Sequence, residues 1–298
     1  MLKRADGLLL LCVTLWGSNF VFASMLSKEF SPLLLAALRL TLSIIVLLIY
    51  GLFTRKLVRV SLKDWKQLVP LGITAVLIHH GTFFIGLKET DATTAALIIA
   101  LVPMTTAILA AFFLKEPITV RIALGSILAL FGVYLVIGFG KGIQLNREIG
   151  MIFISMVAFS VSIIQTKKIA NRINPFVITV YSTAVGTSML YPVVILVEPV
   201  IHASEQLWAW GLLLLSAVVI QAICSLIWAY QVKAVGASRA ATYINLEPFI
   251  AMLVGFLLLG TSVNLAQMVG SVVLVVGVTL VTSHKRGKKV KRERDLVS

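Results

Sequence analysis

Apolar residues fill most of this chain in blocks of about twenty, each closed by a short polar or basic stretch. A helix rises 1.5 Å per residue, so roughly 20 such residues cross a hydrocarbon core of ~30 Å. The blocks lie near 7–25, 33–53, 67–86, 93–113 and 119–138, then 149–167, 176–197, 208–229, 238–259 and 264–283. Ten helices are predicted. The connections between them are too short to hold a sizeable soluble domain.

Composition strengthens this reading. A globular domain is about half apolar and about a quarter charged. Here 59% of the 298 residues are hydrophobic, 13% are charged, and the mean hydropathy is +1.01. The predicted class is an all-α integral membrane protein. The net charge of +14 does not point to nucleic acid once its distribution is followed. With the N-terminus in the cytoplasm, the inside segments hold 21 of the 26 Lys and Arg. Four (Lys28, Lys88, Lys141 and Arg147) lie outside, and Arg39 lies within a span. That bias places both termini in the cytoplasm and suits a cell membrane. The basic tail, residues 284–298, would orient the last helix against anionic lipid. The opening "MLKRADGLLLLCVTLWG" lacks a convincing cleavage site and reads as the first span. Cys12 and Cys224 both lie in spans, so no disulfide framework is implied.

The chain also matches itself. Shifted by 145 residues, "ATTAALIIALVPMTTAILAAFFLKEPIT" (92–119) falls on "ASRAATYINLEPFIAMLVGFLLLGTSVN" (237–264) without a gap, and Pro103 meets Pro248. Gly125 then meets Gly270, and Gly132 meets Gly277. A shift of 143 pairs Gly7 with Gly150, Pro32 with Pro175 and Trp65 with Trp208. Two five-helix units follow, at 7–139 and 147–283. Five is odd, so the second unit enters the membrane from the opposite side. Such inverted repeats are the architecture of many secondary transporters, with sites at the repeat interface. A duplicated scaffold without transport is the plainer alternative.

Proline has no N–H, and its ring crowds the carbonyl four residues back. Pro103 therefore frees the Ile99 carbonyl and Pro248 that of Ile244. Matched helix breaks in two halves mark a binding region, so the fourth and ninth spans are expected at the centre.

"LLLLCVTLWGSNFVFA", "SPLLLAALRLTLS" and "GLKETDATTAALIIALVPMTTAILAAFFLKEPITVRIALGSILALFGVYLVI" resemble the drug/metabolite transporter superfamily in its EamA-type branch. The likeness spans about residues 7 to 283. It rests on Trp-Gly in the first span, Arg in the second, and the Ala, Pro, Glu-Pro, Gly, Gly order across the fourth and fifth. It implies ten helices in two inverted repeats around a central cavity, moving small organic metabolites, often outward. There are two departures: Glu116 has Thr261 as its partner in the second half, and Arg39 has Ser182. These departures count against a mechanism that needs both copies of either charge.

Glu247 leads the candidate residues. A charge at mid-bilayer costs about 2.5–3.5 kcal/mol on insertion scales. Ala240, Tyr243, Glu247, Ala251 and Gly255 share a small or polar face, while Leu246, Phe249, Leu253 and Leu257 share an apolar one, so Glu247 should face the bundle. It is either a coupling group or a hydrogen-bonded structural acid. Arg39 either pairs with Glu247 or braces helix carbonyls. Trp16 and Asn19 on the first span, and Ser155, Phe159, Ser162 and Thr166 on the sixth, form matching stripes for a polar wall. His79 and Phe83 on the third span correspond to Cys224 and Trp228 on the eighth, where Gln221 shares their face. Adjacent His79 and His80 point about 100° apart, so they are not expected to ligate one metal. Glu116 is expected to anchor the turn before the fifth helix.

The sequence has no G-x-S-x-G, P-loop, H-E-x-x-H or cluster of acids, so neither an enzyme nor a cofactor or metal protein is expected. The expectation is an alternating-access secondary transporter. Its substrate would be amino-acid-sized and neutral, zwitterionic or amphipathic, with export as the direction and protons as a candidate coupling ion. A passive facilitator and a non-transporting sensor or assembly protein are the alternatives. Substrate, membrane lipids and no nucleic acid complete the expected partners.

Overall fold

The computed structural model describes residues 2–114, 120–138, 146–169, 172–235 and 243–294, and among these every regular element is helical. Helix α1 is Leu2–Glu29 and α2 is Pro32–Phe53. A single helix then runs Leu62–Leu87, made of α3 (Leu62–Gly72), a π-helical segment (Ile73–Ile78) and α4 (His79–Leu87). Next come α5 (Ala92–Ile99), α6 (Val102–Leu114), α7 (Val120–Gly138), α8 (Arg147–Ile169) and α9 (Pro175–Val197). Helix α10 (Leu207–Leu215) continues through a second π-helical segment (Ser216–Ile223) into α11 (Cys224–Val235). The last elements are α12 (Glu247–Leu259) and α13 (Leu265–Arg294).

Local chemistry sets these starts. Both α2 and α9 open on proline, whose missing N–H is harmless in a first turn. Asp91 caps α5 by accepting from Thr94 N–H at 2.9 Å, and Asn174 accepts from Phe176 N–H at 2.9 Å before α9. At the far end, α12 stops at Gly260, whose φ of 63° lies in the left-handed region that glycine adopts without strain.

By length and composition, seven helices among the described residues can cross a membrane, and Val120–Leu135, Glu247–Leu259 and Leu265–Val281 are shorter apolar ones. Observed and expected boundaries differ by a few residues at most starts. The last helix is the exception, running on to Arg294 through the basic stretch expected to be a tail. Glu116, Lys141 and Ala240 fall outside the described residues.

Large side chains from α1, α2, α4, α5 and α8 make the main core, with Leu26, Leu35, Phe84, Leu97 and Ile152 all essentially buried. Three close approaches bring helices into backbone contact. A Cβ on Gly125 would stand 2.6 Å from Gly277 O, and one on Gly132 would stand 2.7 Å from Gly270 O. Rising numbers on α7 thus meet falling numbers on α13, so the two run antiparallel. Gly72 and Gly186 bring α3 and α9 into backbone contact, and a Cβ on Gly17 of α1 would stand 3.0 Å from Glu247 O. Outward faces carry Ile127, Leu130 and Phe131 on α7 and Leu253 and Leu257 on α12, all exposed, as suits a surface wetted by lipid.

Candidate functional site

Two helix breaks stand 145 residues apart, at Ala100–Leu101 and Asn245–Leu246. Their hydrogen bonds match one for one. Leu101 N–H donates to Ile98 O at 3.1 Å, and Leu246 N–H donates to Tyr243 O at 3.0 Å. Beyond each break, Thr105 N–H reaches Leu101 O at 2.9 Å and Ile250 N–H reaches Leu246 O at 3.1 Å. Pro103 and Pro248 are each the second residue of the helix that follows. Both expected breaks are therefore present, in the same geometry.

The second break places Glu247 at the first position of α12. Backbone N–H groups left open at a helix start favour negative charge, while burial disfavours it. Glu247 is only 9% exposed, and no hydrogen bond or ion pair engages its carboxyl among the described residues. Ala251 and Gly255 on the same face are buried, whereas Leu246, Leu253 and Leu257 are exposed. The carboxyl side of α12 thus faces the bundle. On its other side, Phe249, Met252, Leu253, Phe256, Val263, Met268 and Val272 line an apolar groove of about 380 Å³. With no convergent polar group, that groove is not a recognition site.

The π-helical segments form a second matched pair. Such segments hold an extra residue per turn and recur at functional sites. A side chain from a neighbouring helix meets the carbonyl just past each one. Ser155 Oγ on α8 donates to His79 O at 2.9 Å, and Cys12 Sγ on α1 donates to Cys224 O at 3.6 Å. Cys12 and Ser155 are 143 residues apart, and His79 and Cys224 are 145 apart. Inside the second segment, Ile220 O accepts from Trp16 Nε1 at 3.1 Å.

Around these carbonyls the structure gathers most of the expected residues. Phe159 stacks on His79 with ring centroids 4.7 Å apart at 16°, and His79 Nδ1 lies 2.8 Å from Ser155 Oγ. Phe83 meets Phe20 edge to face at 5.8 Å. Trp16 packs against Trp228 at 4.9 Å. His79, Trp16, Asn19, Gln221 and Trp228 are only half-buried although they sit on inward faces, and Phe159 is 37% exposed. Asn19 Oδ1 is buried without a hydrogen bond.

Arg39 does not pair with Glu247. Its Nη2 donates to Gln221 Oε1 at 3.1 Å, and its guanidinium lies over the Phe84 ring at 5.7 Å. It bridges α2 to the second π-helical segment through a side chain, whereas the sequence reading offered only Glu247 or backbone carbonyls. Ser162 is buried, and its hydroxyl donates to Phe159 O at 2.7 Å, so its donor is taken up within α8. Tyr243 is half-buried ahead of the second break. Among the described residues, no three His, Cys, Asp or Glu side chains converge. Sequence reasoning missed the π-helical segments and Phe84 as the surface beneath Arg39. Pro70, just before the first segment, was the available signal; nothing comparable precedes the second.

Apolar helices of spanning length, packed around paired helix breaks, define a multi-pass membrane protein. The chain belongs to the EamA-like transporter family, which matches residues 3–138 and 146–283. It is 30% identical over 269 residues to the uncharacterized transporter YyaM of Bacillus subtilis (strain 168), covering 88% of each chain. It is 25% identical over 292 residues to a probable terminal-alkyne amino-acid exporter of Streptantibioticus cattleyicolor, covering 97% of this chain and 96% of that one. A crystal structure at 20% identity shares the fold with a TM-score of 0.69, covering 95% of this chain and 98% of the other. The protein is a membrane transporter of the drug/metabolite type, with a small-molecule substrate.

Proposed function

We propose that this chain is an alternating-access secondary transporter that exports an amino-acid-sized metabolite, neutral, zwitterionic or amphipathic. In this reading it forms ten membrane helices in two inverted repeats, lies in the cell (cytoplasmic) membrane and has both termini in the cytoplasm. The observation that carries the proposal is the one-for-one match of the two helix breaks, with a buried carboxyl at one of them. Each break ends a helix within the bundle, where a short rearrangement can open or close a path without unfolding a whole span.

The antiparallel run of α7 and α13 supports the inversion. Gly125 against Gly277 and Gly132 against Gly270 are one contact repeated under a two-fold axis, because Gly125 corresponds to Gly270 and Gly132 to Gly277. The matched contacts of Ser155 and Cys12 follow the same relation. Export draws its support from the exporter among the relatives. Trp16, Asn19, His79, Phe83, Gln221, Trp228 and Tyr243 wall the cavity, with Ser162 behind them. Arg39 and Glu247 supply its charge, and protons are the coupling ion.

Transport of a metabolite panel by the protein in proteoliposomes, with and without a pH gradient, tests the reading. Accumulation of one chemical class is the expected result. No movement of any solute would favour a sensor or assembly role, and movement indifferent to the gradient would favour a passive facilitator. Topology is tested separately by cysteine labelling. Lys141→Cys should react from outside, and Lys63→Cys and Lys288→Cys only from inside. Labelling of all three from one side contradicts the inverted ten-span arrangement.

A further inference from the structure

Arg39 is 5% exposed, far inside an apolar bundle, and carries five N–H donors. Its Nη2 meets Gln221 at 3.1 Å, while its Nε is buried without a hydrogen-bond partner. No carboxylate faces it among the described residues. Gln221 offers dipole but no charge, and the Phe84 ring offers only its π face. A guanidinium keeps its proton in proteins, so this cation cannot be relieved by deprotonation. A lone intramembrane charge is costly and tends to mark a substrate or ion path. A structural brace between α2 and the π-helical segment would need only a neutral donor.

The surroundings specify what would complete the site. A guanidinium fork takes a carboxylate through two parallel bonds, and Gln221 Oε1 already occupies one acceptor position. One guanidinium balances one negative charge, which suits a carboxylate better than a doubly charged phosphate. The Gln221 backbone lies in the π-helical segment whose Ile220 carbonyl is held by Trp16, and Trp16 packs on Trp228. Arg39 and the Trp16–Trp228 pair therefore hold the same π-helical segment, which sets an aromatic wall near the guanidinium.

We propose that Arg39 is the carboxylate anchor of the transported molecule, with Gln221 holding the guanidinium between substrates and yielding to the incoming carboxylate. The substrate is then an amino acid or small monocarboxylic acid whose organic part rests on Trp16 and Trp228. This rests on the transport reading and narrows it to carboxylates.

The test uses purified full-length protein, read by thermal stabilisation in detergent and by exchange in proteoliposomes. The probes are the amino acids and small monocarboxylic acids, each beside its primary amide, with decarboxylated amines as a third set. Acids should bind about a hundredfold more tightly than their amides, the scale of losing hydrogen bonds to a charged group. Arg39→Gln should abolish that preference, and Arg39→Lys, which keeps charge without the fork, should weaken it about tenfold. Gln221→Glu keeps the cation and supplies an internal carboxylate. It should fold and weaken acids about a hundredfold by competition, and it carries the test if Arg39→Gln does not fold. Selective acid binding without exchange upholds the anchor and rejects transport. Exchange of amides or amines as well as acids, or unchanged acid affinity in Gln221→Glu, overturns the anchor and leaves transport standing. Neither binding nor exchange with any probe overturns both.

Discussion

The two broken helices make the same turn with different chemistry. At the first, Ala100, Leu101 and Val102 are buried and apolar. At the second, the matching residues are Asn245, Leu246 and Glu247, with Asn245 and Glu247 buried and Leu246 turned outward. Asn245 Nδ2 donates to Thr279 Oγ1 at 3.1 Å. Since the backbone bonds are the same, the carboxyl does not create the break; the proline and its turn do. The break is a shared mechanical part, and the charge is an addition to one copy. The same asymmetry holds at Arg39, matched by Ser182, which donates within its own helix at 3.4 Å to Thr179 O. In the proposed mechanism, motion belongs to both halves, whereas recognition and coupling belong to particular residues.

The largest way to break this comparison is to disrupt what both halves share. At Gly132 even a Cβ would stand 2.5 Å from Leu274 N, so Gly132→Leu forces α7 and α13 apart. Overpacking of this kind costs about 3 kcal/mol, and the expected outcome is loss of folded, monodisperse protein in size-exclusion chromatography. A wild-type elution profile and melting temperature would show that the crossing is loose.

Next come the prolines. Pro103→Ala and Pro248→Ala each allow the helix to close across its break. Both variants should insert and fold, and both should exchange substrate about tenfold more slowly, equivalent to ~1.4 kcal/mol on the rate-limiting barrier. Equal slowing would sharpen the account of a shared mechanical part. Slowing in Pro248→Ala alone would tie the motion to the carboxyl. A smaller effect is expected at the π-helical segments. Ser155→Ala removes a hydroxyl donor from His79 O and should cost about 1 kcal/mol, seen in thermal unfolding. Cys12→Ala should cost less, because a thiol is a weak donor at 3.6 Å.

Much of the fold was legible because apolar block length and proline position are local signals. They located the helices, the breaks at Pro103 and Pro248, and the inward face of Glu247. The azimuth of one helix relative to another is not local, and that decided the rest. Arg39 and Gln221 are 182 residues apart and meet only because α2 packs against the second π-helical segment. Ser162 shares a stripe with Ser155, yet its hydroxyl turns back to Phe159 O while that of Ser155 leaves its helix for His79. The π-helical segments arise from packing within otherwise ordinary apolar runs, so no residue pattern announced the second one.

The central claim is that the carboxyl at the second break links transport to protons. Protonation and ionisation of Glu247 in alternating orientations would let a pH gradient drive accumulation. Glu247→Gln keeps the shape and removes the titration. The decisive measurement is substrate accumulation by this variant in proteoliposomes under an imposed pH gradient, beside its exchange without one. The account predicts that exchange survives and gradient-driven accumulation disappears. Accumulation equal to that of the parent protein would contradict it and leave Glu247 a structural acid.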